Sequence, residues 1–303
     1  MTINLSEKAV LVRLRTSAWS AQKFDRRVSD EVSKTHKAEA RAGRFYKDLI
    51  RDDQLKAINR VITDARQFHD YKTLPWLDNG TRILPSKAYL EYVEEMREYR
   101  EAVDMLVDEF VNDYYDLAID RAKQHLGDLY NPADYPTKDE LRHKFGISMR
   151  LMPIPDASDW RIDVQQDELN ELIEDHTRQL KEASEHATRE IVNRIHETVS
   201  HVYERLSDED KRFHNSLIGH VESLVEVLPQ LNITDDQQIA KLTEEMRLKL
   251  ATVDPTELRK DADARRETAQ TAKSILDTMS SVYGTPAADD SVKDDGGDGR
   301  KAA

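Results

Sequence analysis

The sequence contains no cysteine and no long apolar run. Without a thiol among its 303 residues, the chain can form no disulfide, thiolate metal site or cysteine nucleophile. No stretch of about 18 apolar residues occurs, so no transmembrane helix is expected. Lys8, Arg13 and Arg15 interrupt the apolar residues near the N-terminus, whereas a signal peptide keeps its apolar segment free of charge. We therefore expect a cytoplasmic protein.

Glycine is also scarce, with 9 residues in the whole chain. Four of the nine fall in the last 20 residues, which leaves too few for a glycine-rich phosphate-binding fold. Neither Gly-x-x-x-x-Gly-Lys nor Gly-x-Gly-x-x-Gly is present, so nucleotide binding through such loops is not expected. Acidic residues outnumber basic ones by 59 to 45, which gives a formal charge of −14.

The sequence offers no pattern typical of a metal or catalytic site. His196 and His201 resemble the zinc-protease motif, but that motif needs histidines four residues apart on one helix face. A spacing of five turns the second ring away from the first. Ser20 and Lys23 have the spacing of a serine–lysine acyl enzyme without its accompanying motifs. We therefore assign no catalytic residue, metal or cofactor, and expect no enzyme, although a carboxylate-based site of an unfamiliar kind stays open.

Helical spacing dominates the chain. Val10, Leu14 and Ser17 begin a series at alternating spacings of four and three, which predicts an N-terminal helix. Residues 165–206 contain neither proline nor glycine and carry one apolar stripe, which predicts a rod of about 60 Å. These patterns predict a mainly α fold, an elongated helical bundle with a long antiparallel helical hairpin and a small β-hairpin insertion.

The predicted insertion and the prolines divide the chain into segments. Ile147, Met149 and Leu151 alternate with less apolar residues, and so do Trp160, Ile162 and Val164, which is typical of two short strands. The predicted segments are an N-terminal helical domain at 1–130, a small α/β connector at 131–164, a long helical hairpin or bundle at 165–284 and a disordered tail at 285–303.

The segment Thr73–Pro85 is an unusually apolar loop between two predicted helices. Asp78-Asn79-Gly80 within it is typical of a turn, because Asn and Gly tolerate positive φ. Two interpretations stay open: a packed connector that closes one end of the bundle, or a loop on which a partner docks. The candidate docking residues are Trp76, Leu77, Asp78, Arg82 and Ile83.

Charge is distributed unevenly along the chain. Residues 1–51 hold twelve basic and six acidic side chains, a charge of +6 that leaves −20 for the rest. The basic N-terminal helix could contact phosphates, with Trp19 or Phe45 near a base, but it could equally pack on acidic helices of this chain or on an acidic protein. The candidate basic surface comprises Arg13, Arg15, Lys23, Arg26, Arg27 and Lys34.

Three segments carry a resemblance to a known family. They are Ala65–His69, Leu74–Pro85 and Leu151–Pro155, and they resemble a family of uncharacterised phage and bacterial proteins. Genes of that family tend to accompany MoxR-like AAA+ ATPases, so the resemblance implies an ATPase partner and a bacterial or phage-infected cell. It does not extend to the C-terminal helices, and it supplies no catalytic residues.

These observations favour a non-enzymatic helical scaffold or protein-interaction factor. The expected partner is a protein, for which the resemblance suggests a MoxR-like AAA+ ATPase, and homo-oligomerisation stays open. The alternative function is nucleic-acid binding through the basic N-terminal helix. No membrane partner is expected.

Overall fold

The computed structural model describes residues 5–39, 42–78, 80–155, 166–208 and 210–284, with the backbone alone at 166–169. This part of the chain is mainly α-helical, and its strands form small antiparallel sheets. The predicted mainly α class is confirmed for the described residues. The tail predicted at 285–303 lies outside the described residues.

Contacts within the chain divide it into two units. One is Ser6–Asp156, and the other is Ala157–Ala303 together with Met1–Leu5. The division expected from the sequence differs, because it ends an N-terminal domain at 130 and sets a connector apart at 131–164. In the structure a strand from that connector pairs with the N-terminal strand, so the first unit extends to Asp156.

Helices and short strands alternate through the first unit. As far as residue 153 the elements are, in chain order, α1 (Leu5–Lys8), β1 (Ala9–Ser17), β2 (Gln22–Phe24), α2 (Arg26–Thr35), β3 (Tyr46–Asp48), α3 (Asp53–Lys72), β4 (Leu74–Pro75), β5 (Thr81–Pro85), α4 (Tyr89–Glu109), α5 (Tyr115–Leu126), α6 (Lys138–Arg142) and β6 (Gly146–Pro153). A π-helical turn, Phe110–Tyr114, joins α4 to α5. Three-residue 3-10 turns lie at Ser86–Ala88, Gly127–Leu129 and Pro132–Asp134.

Strand β1 replaces the first predicted helix, so that prediction is wrong. The main sheet has the order β4-β5-β1-β6, and each neighbouring pair is antiparallel. Val10, Val12 and Leu14 share the face that packs on the helices, while Arg13 and Arg15 are exposed on the other face. The valines of β1 also favour extended backbone, because branched side chains pack well on a pleated sheet.

Helices α3 and α4 pack on each other and contribute to the same hydrophobic core as the inner face of this sheet. Ile58 and Ile62 of α3, Tyr92 of α4 and Val12 of β1 are all at most 1% exposed. Phe110 of the π-helical turn belongs to the same core. This packing fixes the C-terminal half of α3 beside the β4–β5 hairpin.

Strand β6 lies where the first strand of the predicted β-hairpin is expected. Ile147, Met149 and Leu151 belong to the core or pack against it, as the period of two predicts. The partner of β6 is β1, with Arg150 opposite Arg13. The second predicted strand, with Trp160, Ile162 and Val164, lies outside the described residues.

The second unit consists of helices in the part that the structure describes. They are α7 (Gln166–Leu206), α8 (Ser216–Leu231), α9 (Gln237–Lys249), α10 (Pro255–Lys260) and α11 (Ala262–Tyr283). Helix α7 packs on α8 and α11, and α9 also packs on both. Asp254 caps α10 before Pro255, and Gly284 follows α11. None of the described helices is long and apolar enough to span a membrane.

Candidate functional site

The C-terminal end of α3 and the β4–β5 hairpin form the best-defined candidate site. Thr73 follows α3 in extended backbone, and its Oγ1 donates to the carbonyl oxygen of His69 at 2.6 Å. Arg82 of β5 donates from Nε to Thr73 Oγ1 at 2.6 Å and from a terminal nitrogen to the Thr73 carbonyl at 3.1 Å. The guanidinium thus binds the carbonyl end of α3, where a positive charge is favourable.

The turn of the hairpin has the chemistry that Asp-Asn-Gly predicts. Thr81 Oγ1 donates to Asp78 Oδ2 at 3.1 Å, and the amide of Trp76 donates to the carbonyl of Thr81 at 3.3 Å. Gly80 has φ of +94°, which side chains with a Cβ rarely adopt. These bonds hold Trp76, Leu77 and Asp78, called the Trp76 loop from here on, against the hairpin.

The five candidate docking residues fall into two groups. Ile83 is fully buried and lies opposite Leu11 in the sheet, and Arg82 holds the end of α3. The assignment of Ile83 to a docking surface is therefore corrected, because pairing of β5 with β1 buries its side chain, whereas Arg82 also lines a cavity beside the loop. The Trp76 loop remains at the surface: Trp76 is half-buried, Leu77 is 38% exposed and Asp78 is exposed.

A cavity of about 400 Å³ opens beside the Trp76 loop and is called the loop cavity below. Its lining comes from β1, from α3 and from the hairpin, and includes Thr16, Arg66, His69, Asp70 and Trp76. Arg66 Nε donates to Thr16 Oγ1 at 2.7 Å, so the exposed guanidinium of α3 is tied to β1. The cavity therefore combines an aromatic ring with charges of both signs.

His69 is a buried titratable side chain that lines the loop cavity. Its Nδ1 lies 2.7 Å from the hydroxyl oxygen of Tyr92, and both side chains are at most 5% exposed. Burial, with a smaller contribution from the charge of Arg82, lowers the pKa of His69 to about 4. Burial also raises the pKa of Tyr92 above its ordinary value. At neutral pH both groups are uncharged, and the pair positions α3 against α4.

The described residues contain no group of three or more His, Asp or Glu side chains that could hold a metal ion. The sequence has one Glu-x-x-His pair, Glu140 and His143, and both side chains have local partners. The Glu140 carboxylate accepts from the amide and hydroxyl of Thr137 in a capping box, and His143 Nδ1 lies 2.7 Å from the carbonyl oxygen of Asp139.

The candidate basic surface is not one helix, which corrects its prediction. Arg13 and Arg15 lie on the exposed face of β1, and Lys23 lies on β2. Only Arg26, Arg27 and Lys34 share helix α2. The cause is that residues 9–17 form a strand rather than the start of the helix, so the six cations lie on three separate elements.

Two further details alter the predicted basic region. Trp19 is 9% exposed and its ring meets the edge of Tyr115 at 6.2 Å between centroids, so it cannot stack on a base. Lys47 is buried, 2.6 Å from Asp134 Oδ2 and 3.5 Å from Asp25 Oδ2. Its Nζ also donates to the carbonyl of Leu129 at 2.9 Å. Lys47 is therefore a structural cation.

Arg66 and His69 belong to the site, although sequence reasoning did not single them out. Both lie in Ala65–His69, one of the segments from whose sequence we infer a family resemblance. That overlap was the available signal, because helical periodicity marks only Ala65 of this stretch as a core position. No protein-family model, curated protein or solved structure matches the chain.

Proposed function

We propose that the protein is a non-enzymatic interaction factor that docks a partner protein on the Trp76 loop and the loop cavity. The observation that carries this proposal is the half-buried ring of Trp76 beside the exposed Leu77, at the edge of a cavity that Arg66 also lines. Tryptophan and arginine are the residue types that dominate the binding energy of protein interfaces.

The hairpin supports the proposal because it holds the loop in a defined conformation. Arg82 fixes β5 to the end of α3, and Thr81 fixes Asp78 across the turn. A surface that is already ordered loses little conformational entropy when a partner binds. The apolar contact can then contribute to affinity instead of offsetting the cost of ordering the loop.

The proposed partner is a MoxR-like AAA+ ATPase in a bacterial or phage-infected cell. Its support is the resemblance carried by Ala65–His69 and Leu74–Pro85, because residues of both segments line the loop cavity. The second unit serves as a scaffold in this proposal. Helix α7 has 41 residues and is about 60 Å long, which fits an elongated bundle with a long antiparallel hairpin.

The test measures binding of a purified MoxR-like ATPase from the same genome to the immobilised full chain. The variant Trp76→Ala combined with Leu77→Ser removes both apolar contacts and should weaken binding by about tenfold or more. Leu90→Ser is the matched control, because Leu90 is an exposed leucine on α4, 80% accessible, outside the lining of the loop cavity. It should leave affinity unchanged.

Each component of the proposal has its own contrary result. Equal affinity of the loop variant and the wild-type chain would remove the Trp76 loop as the docking site. Absence of binding by the wild-type chain would remove this class of ATPase as the partner. Circular dichroism of each variant establishes that the helices are intact before affinities are compared.

A further inference from the structure

Residues 22–48 form a small module that the Trp76 loop does not use. Strands β2 and β3 pair as an antiparallel ribbon, with Phe24 directly opposite Tyr46. Helix α2 is tied to this ribbon through Ser29, whose Oγ accepts from the amide of Phe45 at 2.9 Å and donates to the carbonyl of Asp25 at 2.8 Å. The amide of Asp25 in turn donates to the carbonyl of Phe45 at 2.9 Å.

The aromatic pair of this module is at the surface. Phe24 is 43% exposed and Tyr46 is 48% exposed, and their ring centroids lie 5.6 Å apart with the planes tilted by 55°. Val32 of α2 is also 50% exposed. Aromatic rings contribute most to stability when they are buried, so two adjacent rings left half in solvent indicate a binding surface.

Cations surround the two rings. A cavity of about 530 Å³ is lined by Phe24, Tyr46, Arg26 and Arg44 among others, and is called the aromatic cavity below. Arg26 is 86% exposed and its only described ion pair, with Asp30 at 3.7 Å, is itself solvent-exposed. Such pairs contribute little and leave the guanidinium available to a ligand.

The local charge is opposite to that of the chain. Residues 22–48 hold eight basic and five acidic side chains, a formal charge of +3 in a chain of −14. Two of the acids are already engaged, since Asp25 lies beside the buried Lys47 and Asp48 accepts from Arg51 at 2.7 Å. The exposed cations of the module include Lys23, Arg26, Arg27, Lys34 and Arg44.

We propose that the aromatic cavity binds single-stranded nucleic acid. Unpaired bases stack on Phe24 and Tyr46. The phosphates that join them lie against Arg26 and Arg44, which line the cavity, and against Arg27, the next residue of α2. Proteins that bind single strands without sequence preference combine these two features, a basic groove and aromatic faces. A duplex hides its base faces from such rings, and an acidic peptide would use the cations but leave the rings without a partner.

The experiment measures fluorescence anisotropy of a labelled oligothymidylate of 12 nucleotides with the full chain. A dissociation constant of about 1–100 µM is usual at physiological salt for contacts without sequence preference, so at 50 mM salt we expect a value of about 0.1–10 µM. Three phosphate contacts on a single strand give a slope of about −2 in a plot of log affinity against log salt. Affinity should therefore fall roughly tenfold between 50 and 150 mM salt.

Two pairs of substitutions separate stacking from charge. Phe24→Leu with Tyr46→Leu keeps an apolar surface, removes both π faces and should weaken binding by about tenfold or more. Arg26→Glu with Arg44→Glu should abolish binding. Its control, Arg60→Glu with Arg97→Glu, makes the same change of net charge at exposed arginines of α3 and α4 and should lower affinity less than threefold, through net charge alone.

Other outcomes would overturn the assignment. Undetectable binding at 50 mM salt would show that the aromatic cavity is not a nucleic-acid site. Full affinity in the double leucine variant would show that the rings do not stack on bases. Tighter binding of a 12-base-pair duplex or of polyglutamate than of oligothymidylate would assign the surface to another class of ligand. The loop variant Trp76→Ala with Leu77→Ser should bind oligothymidylate normally, because the two sites share no lining residue.

Discussion

Arg265 is a buried cation that caps the C-terminal end of α7. Its Nε donates to the carbonyl of Leu206, the last residue of α7, at 3.1 Å, and a terminal nitrogen donates to the carbonyls of Arg205 and Lys211, both at 2.8 Å. The guanidinium also lies over the ring of Phe213, 5.3 Å from its centroid. One side chain thus satisfies carbonyls that the end of α7 leaves without helical partners.

Replacing Arg265 should therefore destabilise the second unit. Arg265→Met keeps much of the side-chain volume but removes the donor from three buried or partly buried carbonyls, which should lower the free energy of unfolding by about 3 kcal/mol. Arg259→Met is the matched control, because Arg259 lies over the same Phe213 ring at 5.3 Å but is exposed. It should cost less than about 1 kcal/mol in urea denaturation. Equal losses of stability would show that the hydrogen bonds of Arg265 to these carbonyls contribute no more than the exposed contacts of Arg259, which lies over the Phe213 ring and donates to Asn215.

His69 should make stability depend on pH below neutrality. Its pKa is lowered to about 4 from an ordinary value of 6.5, so between these values the unfolded chain binds a proton that the folded chain does not. Stability must then fall as pH falls from about 6.5 to 4, by on the order of 3 kcal/mol in total. Below pH 4 this contribution is constant.

The measurement compares urea denaturation of the wild-type chain and His69→Gln from pH 8 to pH 4. Glutamine can keep a hydrogen bond to Tyr92 and does not titrate, so the variant should lose less stability on acidification. Carboxylates such as Asp25, whose pKa is lowered mainly by the amide of Val28, also lose stabilising interactions in acid. They are common to both chains and cancel in the difference. Parallel curves would mean that His69 is not the group responsible.

At the scale of secondary-structure elements, replacing two different glycines with alanine should change stability in opposite directions. Gly80 has φ of +94° in the β4–β5 hairpin, so Gly80→Ala should destabilise by about 1–2 kcal/mol. Gly219 lies within α8, and no atom approaches within 4 Å of the position its Cβ would take. Gly219→Ala should stabilise by about 0.5–1 kcal/mol. Melting temperatures that move in the same direction would contradict this assignment of the hairpin.

The same hairpin shows which features the sequence predicts and which it does not. Local chemistry is sufficient to predict the Asp78–Gly80 turn, because that signal depends on residues a few positions apart. Which side chains reach the surface depends on strand pairing over long separations. Ile83 is buried because it lies opposite Leu11, more than seventy residues earlier in the chain, and no local pattern records that pairing.

Strand β1 was mistaken for a helix for a related reason. Val10 and Leu14 fit a helical spacing, while Val10, Val12 and Leu14 fit a strand equally well. Leu11 is also buried, at 7% exposed, next to Val12 at 0%. The first half of β1 is therefore buried on both faces, and such a segment loses the alternation that identifies a strand. The same error affects the basic surface, since only Arg26, Arg27 and Lys34 of its six cations share a helix.

At the scale of the whole molecule, the two parts of the chain differ in net charge. Residues 1–156 hold 26 basic and 27 acidic side chains, a formal charge of −1. Residues 157–303 hold 19 basic and 32 acidic side chains, a charge of −13. The proposed nucleic-acid site therefore belongs to the nearly neutral part, where repulsion of phosphates is weakest.

The two units should also unfold separately, because each has its own buried residues. The sheet, α3 and α4 share one hydrophobic core, while Ile195 of α7, Leu228 of α8 and Ile275 of α11 are fully buried in the second unit. Local opening follows such cooperative units. In hydrogen exchange measured by mass spectrometry on the full chain, Arg265→Met should therefore accelerate exchange in α7, α8 and α11 and leave α3 and α4 unchanged.

The reciprocal substitution lies in the first unit. Phe110 is fully buried in the first core, and Phe110→Ala should cost about 3–5 kcal/mol. It should accelerate exchange in α3, α4 and the main sheet while α7 and α11 keep their wild-type protection. If either substitution accelerated both sets of helices to the same extent, the chain would unfold as one cooperative body. A substitution that destabilised the C-terminal helices would then also unfold the docking and nucleic-acid sites.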